Sequence, residues 1–204
     1  MSSRSLYRTA LGTEFDRLHP AIQRHYDLGL GQHVTLNANM RAWNRLAFAQ
    51  PLMPFTPKPG HNLPTIVKNT GVKDALGQVS FEWQREFIYP SGTFRNYTLT
   101  TAPPSPQPFA AVMDRFAGFP QVALVLELTI SEDGNVLNMN TRGAQYMVFG
   151  QRLLPLPRFM HMVGIGVERA IGPNEIEISI RISHPLFGEL FGYAGQAVVG
   201  EIGD

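Results

Sequence analysis

One stretch of the chain, Val79-Ser80-Phe81-Glu82-Trp83-Gln84-Arg85-Glu86-Phe87-Ile88-Tyr89, constrains the fold more than any other. Read with a period of two, one face carries Val79, Phe81, Trp83, Arg85, Phe87 and Tyr89, and the other Gln78, Ser80, Glu82, Gln84 and Glu86. Successive side chains of a strand point to opposite faces, so this is a half-buried strand with an arginine at the centre of its aromatic side. A guanidinium keeps its charge, and burying one requires acceptors, a ligand or water beside it.

The same alternation recurs downstream. Strands are expected over 65–72, 78–89, 94–101, 121–131, 136–149, 161–171, 176–184 and 189–201. Asp133-Gly134 is a strong two-residue turn signal and pairs Ile130 with Leu137, Leu128 with Met139 and Leu126 with Thr141. Gly172-Pro173-Asn174-Glu175 sets a second hairpin, which pairs Ile171 with Ile176 and Val167 with Ile180. In that register Glu168, Glu177, Ser179 and Arg181 share its polar face. Gly164 and Gly166 lie within a strand, where glycine favours curvature or close packing.

The N-terminal quarter reads differently. Thr13 with Asp16 resembles a helix cap, and Phe15, Leu18, Ile22 and Tyr26 follow at helical spacing. Pro20 restarts the helix at its own first turn. His33 to Asn37 reads as a short strand, Met40 to Gln50 as a helix stopped by Pro51, and Pro51 to Pro64 as an extended connector. Phe109 to Phe116 is helix-capable. These signals give an α+β, mostly β chain: a strongly curved antiparallel sheet or lipocalin-like barrel of about eight to ten strands with short N-terminal helices. Residues 1–204 are expected to form a single domain, 1–60 a helical part and Pro-rich connector and 61–204 the antiparallel β part.

Composition narrows the function classes. Charged residues make up only 16% of the 204, and 17 basic residues against 16 acidic ones leave no footprint for nucleic acid. The absence of cysteine excludes thiolate chemistry and disulfides. No apolar leader and no membrane-length apolar run occur, so a cytoplasmic protein with no membrane span is expected. The six histidines form no ligand-spaced set, so no metal and no cofactor is expected.

Arg85 heads the candidate site. Folding back at Pro90-Ser91-Gly92-Thr93 brings Asn96, Thr98 and Thr100 to its face, beside Phe81, Trp83 and Phe87. A register slipped by one would turn Tyr97 and Leu99 inward instead. Such a strip suits a ligand with a carboxylate or carbonyl at one end and an apolar body. Tyr193 and His161, the latter with Arg158 at a barrel mouth, complete the set. Glu127, Arg142 and Glu168 fall on solvent faces in the hairpin registers.

Several segments together resemble a bacterial family known as domain of unknown function 4166. They are Leu6-Tyr7-Arg8 with Leu11-Gly12, Phe15 to Pro20 with His25, Trp83 to Phe87, Leu154-Pro155-Leu156, and His184 to Gly188 with Tyr193-Ala194-Gly195. The resemblance implies a domain found alone or after saccharopine-dehydrogenase-like domains, hence a reductase-type partner, and brings no catalytic residue with it. Residues 34–58 depart from the family's glycine-rich, arginine-bearing pattern.

The leading expectation is a protein that binds a small hydrophobic or amphipathic molecule, with Arg85 orienting its polar end. A cofactor-free isomerase or cyclase is the alternative, with His161 or Tyr193 handling the proton. An interaction module without a pocket is the third.

Overall fold

A computed structural model describes residues 5–45, 56–74, 77–116 and 121–204. Among these residues eleven strands follow an N-terminal helical segment: β1 His33–Asn44, β2 Gly60–Lys73, β3 Val79–Tyr89, β4 Gly92–Thr101, β5 Ala111–Phe116, β6 Gln121–Ile130, β7 Val136–Phe149, β8 Arg152–Pro155, β9 Val163–Gly172, β10 Glu175–His184 and β11 Gly188–Gly203. Each of β1 to β7 pairs antiparallel with the next, β7 pairs with β9, and β9, β10 and β11 lead back to β1. Ten strands thus close into a barrel, and β8 adds to the outside edge of β7. Closure leaves no long unpaired edge among the described strands, and alternate positions of each strand face the interior.

The helical segment plugs one end. α1 (Leu6–Leu11) is capped by Ser5, whose Oγ accepts from the Arg8 amide at 3.3 Å. A 3₁₀ turn over Gly12–Arg17 takes in Thr13, so that residue caps no α-helix. α2 (Pro20–Tyr26) begins with proline at its first turn, as its missing N–H and fixed φ favour. Tyr7, Phe15, Ile22 and Tyr26 are fully buried, each burial contributing about 1.5–3 kcal/mol. The Tyr26 ring stands 5.7 Å from Trp83, and the Tyr7 ring 5.4 Å from Phe81.

Backbone approach fixes the plug to the barrel rim. The Gly71 carbonyl accepts from Gly31 at 2.8 Å, and a Cβ on Gly71 would lie 2.0 Å from the Gly29 oxygen. At the β6–β7 turn the Gly134 carbonyl accepts from His19 at 2.9 Å, and a Cβ there would lie 1.9 Å from the Arg17 oxygen. Only glycine tolerates either contact.

Several sequence expectations change. Met40 continues β1 as far as Asn44 rather than opening a helix, and 46–50 lie outside the described residues. The last α-helix is therefore α2, ending at Tyr26, among the described residues of 1–60. Gly60–Pro64, read as connector, belongs to β2. Phe109–Phe116 yields the strand Ala111–Phe116, which pairs with β4 on one side and β6 on the other and has no apolar–polar alternation to announce it. The Asp133-Gly134 hairpin has the expected register, whereas the Gly172–Glu175 hairpin is one residue out. Glu175 pairs with Gly172 and Ile176 with Ala170, so Ile171 is the extra residue of a β-bulge. The slip turns Gly164, Gly166 and Glu168 inward and leaves Val163, Ile165 and Ile171 exposed.

Candidate functional site

β3 and β4 pair Arg85 with Asn96, Trp83 with Thr98 and Phe81 with Thr100, the register that puts the threonines beside the guanidinium. Arg85 is 8% exposed. Its Nη1 donates to Thr98 Oγ1 at 3.1 Å, and its guanidinium carbon lies 4.5 Å from the Trp83 ring and 6.0 Å from the Tyr193 ring. Thr98 is the one side chain among the described residues that accepts a hydrogen bond from it, and no carboxylate there lies within 4.0 Å. A short relay runs alongside: Trp83 Nε1 donates to Thr100 Oγ1 at 3.0 Å, and Thr100 donates to Asp114 Oδ1 at 2.6 Å.

These groups border a cavity of about 60 Å³ inside the barrel. Arg85, Trp83, Asn96, Thr98 and Tyr193 line it, as do Asp114 and Glu168. Its opposite wall is apolar, made by Leu124, Leu126, Met139, Ile178 and Phe191. Phe81 and Phe87 are buried but support the site from outside the lining: Phe81 packs on Trp83, and Phe87 on Tyr193 at 5.5 Å. His161 is elsewhere, its Nε2 2.9 Å from the Leu156 carbonyl oxygen. Glu127 and Arg142 pair with each other on the outer face, as the hairpin register requires.

Glu168 overturns its solvent assignment. It is 1% exposed, faces the cavity, and its Oε2 lies 2.9 Å from Nδ1 of His25, itself 0% exposed. His25 Nε2 has no hydrogen-bond partner among the described residues. Burial and the Glu168 charge hold the Tyr26 hydroxyl pKa well above its ordinary value. Burial pushes the Asp114 carboxyl up, while its Thr100 bond and Arg85 pull it back. Burial also raises Tyr193, so its hydroxyl stays protonated and able to donate.

Sequence reading missed His25, Asp114 and Glu168 for separate reasons. His25 sits three residues after Ile22 on the apolar stripe of α2, a signal present in the helical spacing. Asp114 alternates inward with Val112 and Phe116 once the segment is a strand. Glu168 had no such signal, because the aliphatic residues of β9 alternate on the wrong face.

A family profile described as Domain of unknown function (DUF4166) matches residues 18–196. The chain belongs to this family. No curated protein and no solved structure matches it. The DUF4166 match spans β1 through most of β11 and takes in Arg85, Asp114, Glu168 and His25, while α1 lies before it. Among the described residues no group of acidic or histidine side chains could hold a metal, and no helix is long and apolar enough to cross a membrane.

Proposed function

We propose that the barrel interior of this DUF4166 domain binds a small amphipathic molecule whose polar end is a neutral carbonyl set against Arg85. The observation that carries this reading is a buried guanidinium with five donors and one side-chain acceptor among the described residues. A charge withdrawn from water costs several kcal/mol unless its hydrogen bonds are met, so the fork is suited to an incoming oxygen. Asp114 and Glu168 border the same space. An anionic ligand would bring a further negative charge against them in a low-dielectric site, whereas a ketone or ester oxygen accepts from the fork without that repulsion.

Size supports a short ligand. About 60 Å³ is well below the roughly 150 Å³ that holds a benzene. Met40 and Met139 border the cavity, and their unbranched thioethers give way more easily than a branched wall. A carbonyl is also the group on which a reductase-type partner acts, so this ligand class is compatible with such a partner.

The test uses the indole N–H resonance of Trp83, in a Trp43→Phe background that leaves one tryptophan. Acetone and butanone are expected to shift it saturably, and butyrate not. Arg85→Ala abolishes the shift and Arg142→Ala preserves it. Equal affinity of the two variants for a ketone overturns the reading.

A further inference from the structure

We propose that Glu168 is a proton-transfer residue, held by His25, so that the cavity is an acid–base site for enolisable carbonyl compounds. The inference rests on the carbonyl reading of the Arg85 cavity and adds the chemistry done there.

The placement of Glu168 has no stabilising rationale. It stands on the inward face of β9 beside Gly164 and Gly166, on a strand whose outward face carries Val163, Ile165 and Ile171. Apolar residues at 168 and 25 together would complete the core without withdrawing a carboxyl group from water. Buried ionisable pairs replaced by apolar residues of similar size are commonly neutral or stabilising. The barrel instead turns a carboxylate into its cavity and spends a fully buried histidine on orienting it. His25 comes from α2, so the plug supplies the orienting group and the wall supplies the reacting one. Held through Oε2, the carboxylate has a fixed direction, as a base must have to meet a C–H bond.

The step balances within the cavity. Glu168 takes a proton from the carbon next to the carbonyl. That C–H bond breaks, its electron pair becomes the new C=C bond, and the carbonyl π pair moves onto oxygen. Arg85, whose charge is permanent, stabilises the enolate oxygen, with Tyr193 lining the same space. The proton returns from Glu168 to the same carbon, giving hydrogen exchange, or to another, giving an isomer. No oxidant, reductant or metal takes part. His161, bonded to Leu156, has no place in this step.

The experiment follows the α-protons of acetone and butanone by proton NMR in D₂O, with Trp83 reporting binding in the same samples. The native chain is expected to wash deuterium into the α-position roughly 10²–10⁴-fold faster than its Glu168→Gln variant, which still binds the ketone. Glu168→Asp keeps a carboxylate and retains part of the rate, which separates lost chemistry from a misfolded barrel. His25→Gln lowers kcat for exchange at least tenfold with KM unchanged, as loss of a positioning residue does. Ketone bound with exchange at the buffer rate, or Glu168→Gln as fast as the native chain, overturns the proposal and leaves binding intact. Absence of ketone binding overturns both.

Discussion

Nδ1 of His25 on α2 lies 2.9 Å from Oε2 of Glu168 on β9, and neither side chain reaches solvent. The two residues are 143 positions apart, so the bond ties the N-terminal plug to the far half of the barrel. It also couples assembly to the site, since Glu168 gains its orientation only when the plug is seated.

This bond predicts strong coupling in a double-mutant cycle. Glu168→Leu leaves both ring nitrogens of His25 unsatisfied among the described residues, because Nε2 already lacks a partner there. His25→Leu leaves a carboxylate buried alone. Each variant is expected to lose about 3 kcal/mol in urea unfolding, and the double variant much less than their sum. Additive losses would show that the two side chains do not act as a pair.

Asp114 predicts a pH-dependent stability difference. Its carboxyl pKa is raised by burial, so the folded chain holds that proton at a pH where the unfolded chain has released it. Stability contributed by the protonated form is complete below the unfolded value, about 3.9, and is lost as pH rises towards the raised one. Asp114→Asn keeps an acceptor for Thr100 and does not titrate. Its urea midpoint relative to the native chain is expected to rise between pH 3.5 and pH 7. A difference independent of pH sinks the assignment.

Most of the barrel was legible in the sequence because one-sided strands carry their inward face in the alternation itself. Val79–Tyr89 placed Arg85, Trp83, Asn96 and Thr98 together, and Asp133-Gly134 set the β6–β7 register. The acidic side of the cavity was not legible. A single bulge at Ile171 reverses β9, and its consequence for Glu168 depends on pairing with β10 and β7 that no local pattern encodes. Residues 40–44 read as helix from their apolar spacing, yet pair with β11 along their whole length. Tertiary pairing outweighed local preference there.

Two glycines of positive φ separate conformational strain from steric closure. Gly150 has φ 59° with nothing within 4 Å of an added Cβ, while Gly134 has φ 73° and would place its Cβ 1.9 Å from the Arg17 oxygen. Gly150→Ala is expected to cost about 1 kcal/mol, the conformational term alone. Gly134→Ala is expected to cost about 3 kcal/mol or more, since the plug must move off the β6–β7 turn. Similar losses for the two, measured by thermal or urea unfolding, would show that the plug yields to the added methyl.

Arg85→Met tests whether the guanidinium serves the fold or the cavity. Methionine matches the length of the aliphatic stem and removes the charge. The arginine gains from the Trp83 ring, about 0.5–2 kcal/mol, and from the Thr98 bond, about 1.5–3 kcal/mol. Against these stands a desolvation cost of several kcal/mol that no carboxylate within 4.0 Å offsets among the described residues. The terms nearly cancel. Arg85→Met is therefore expected to unfold within about 1 kcal/mol of the native chain while losing ketone binding. A loss above about 3 kcal/mol, the range for breaking a structural buried charge pair, would make Arg85 part of the scaffold and remove the main support for a ligand at its side.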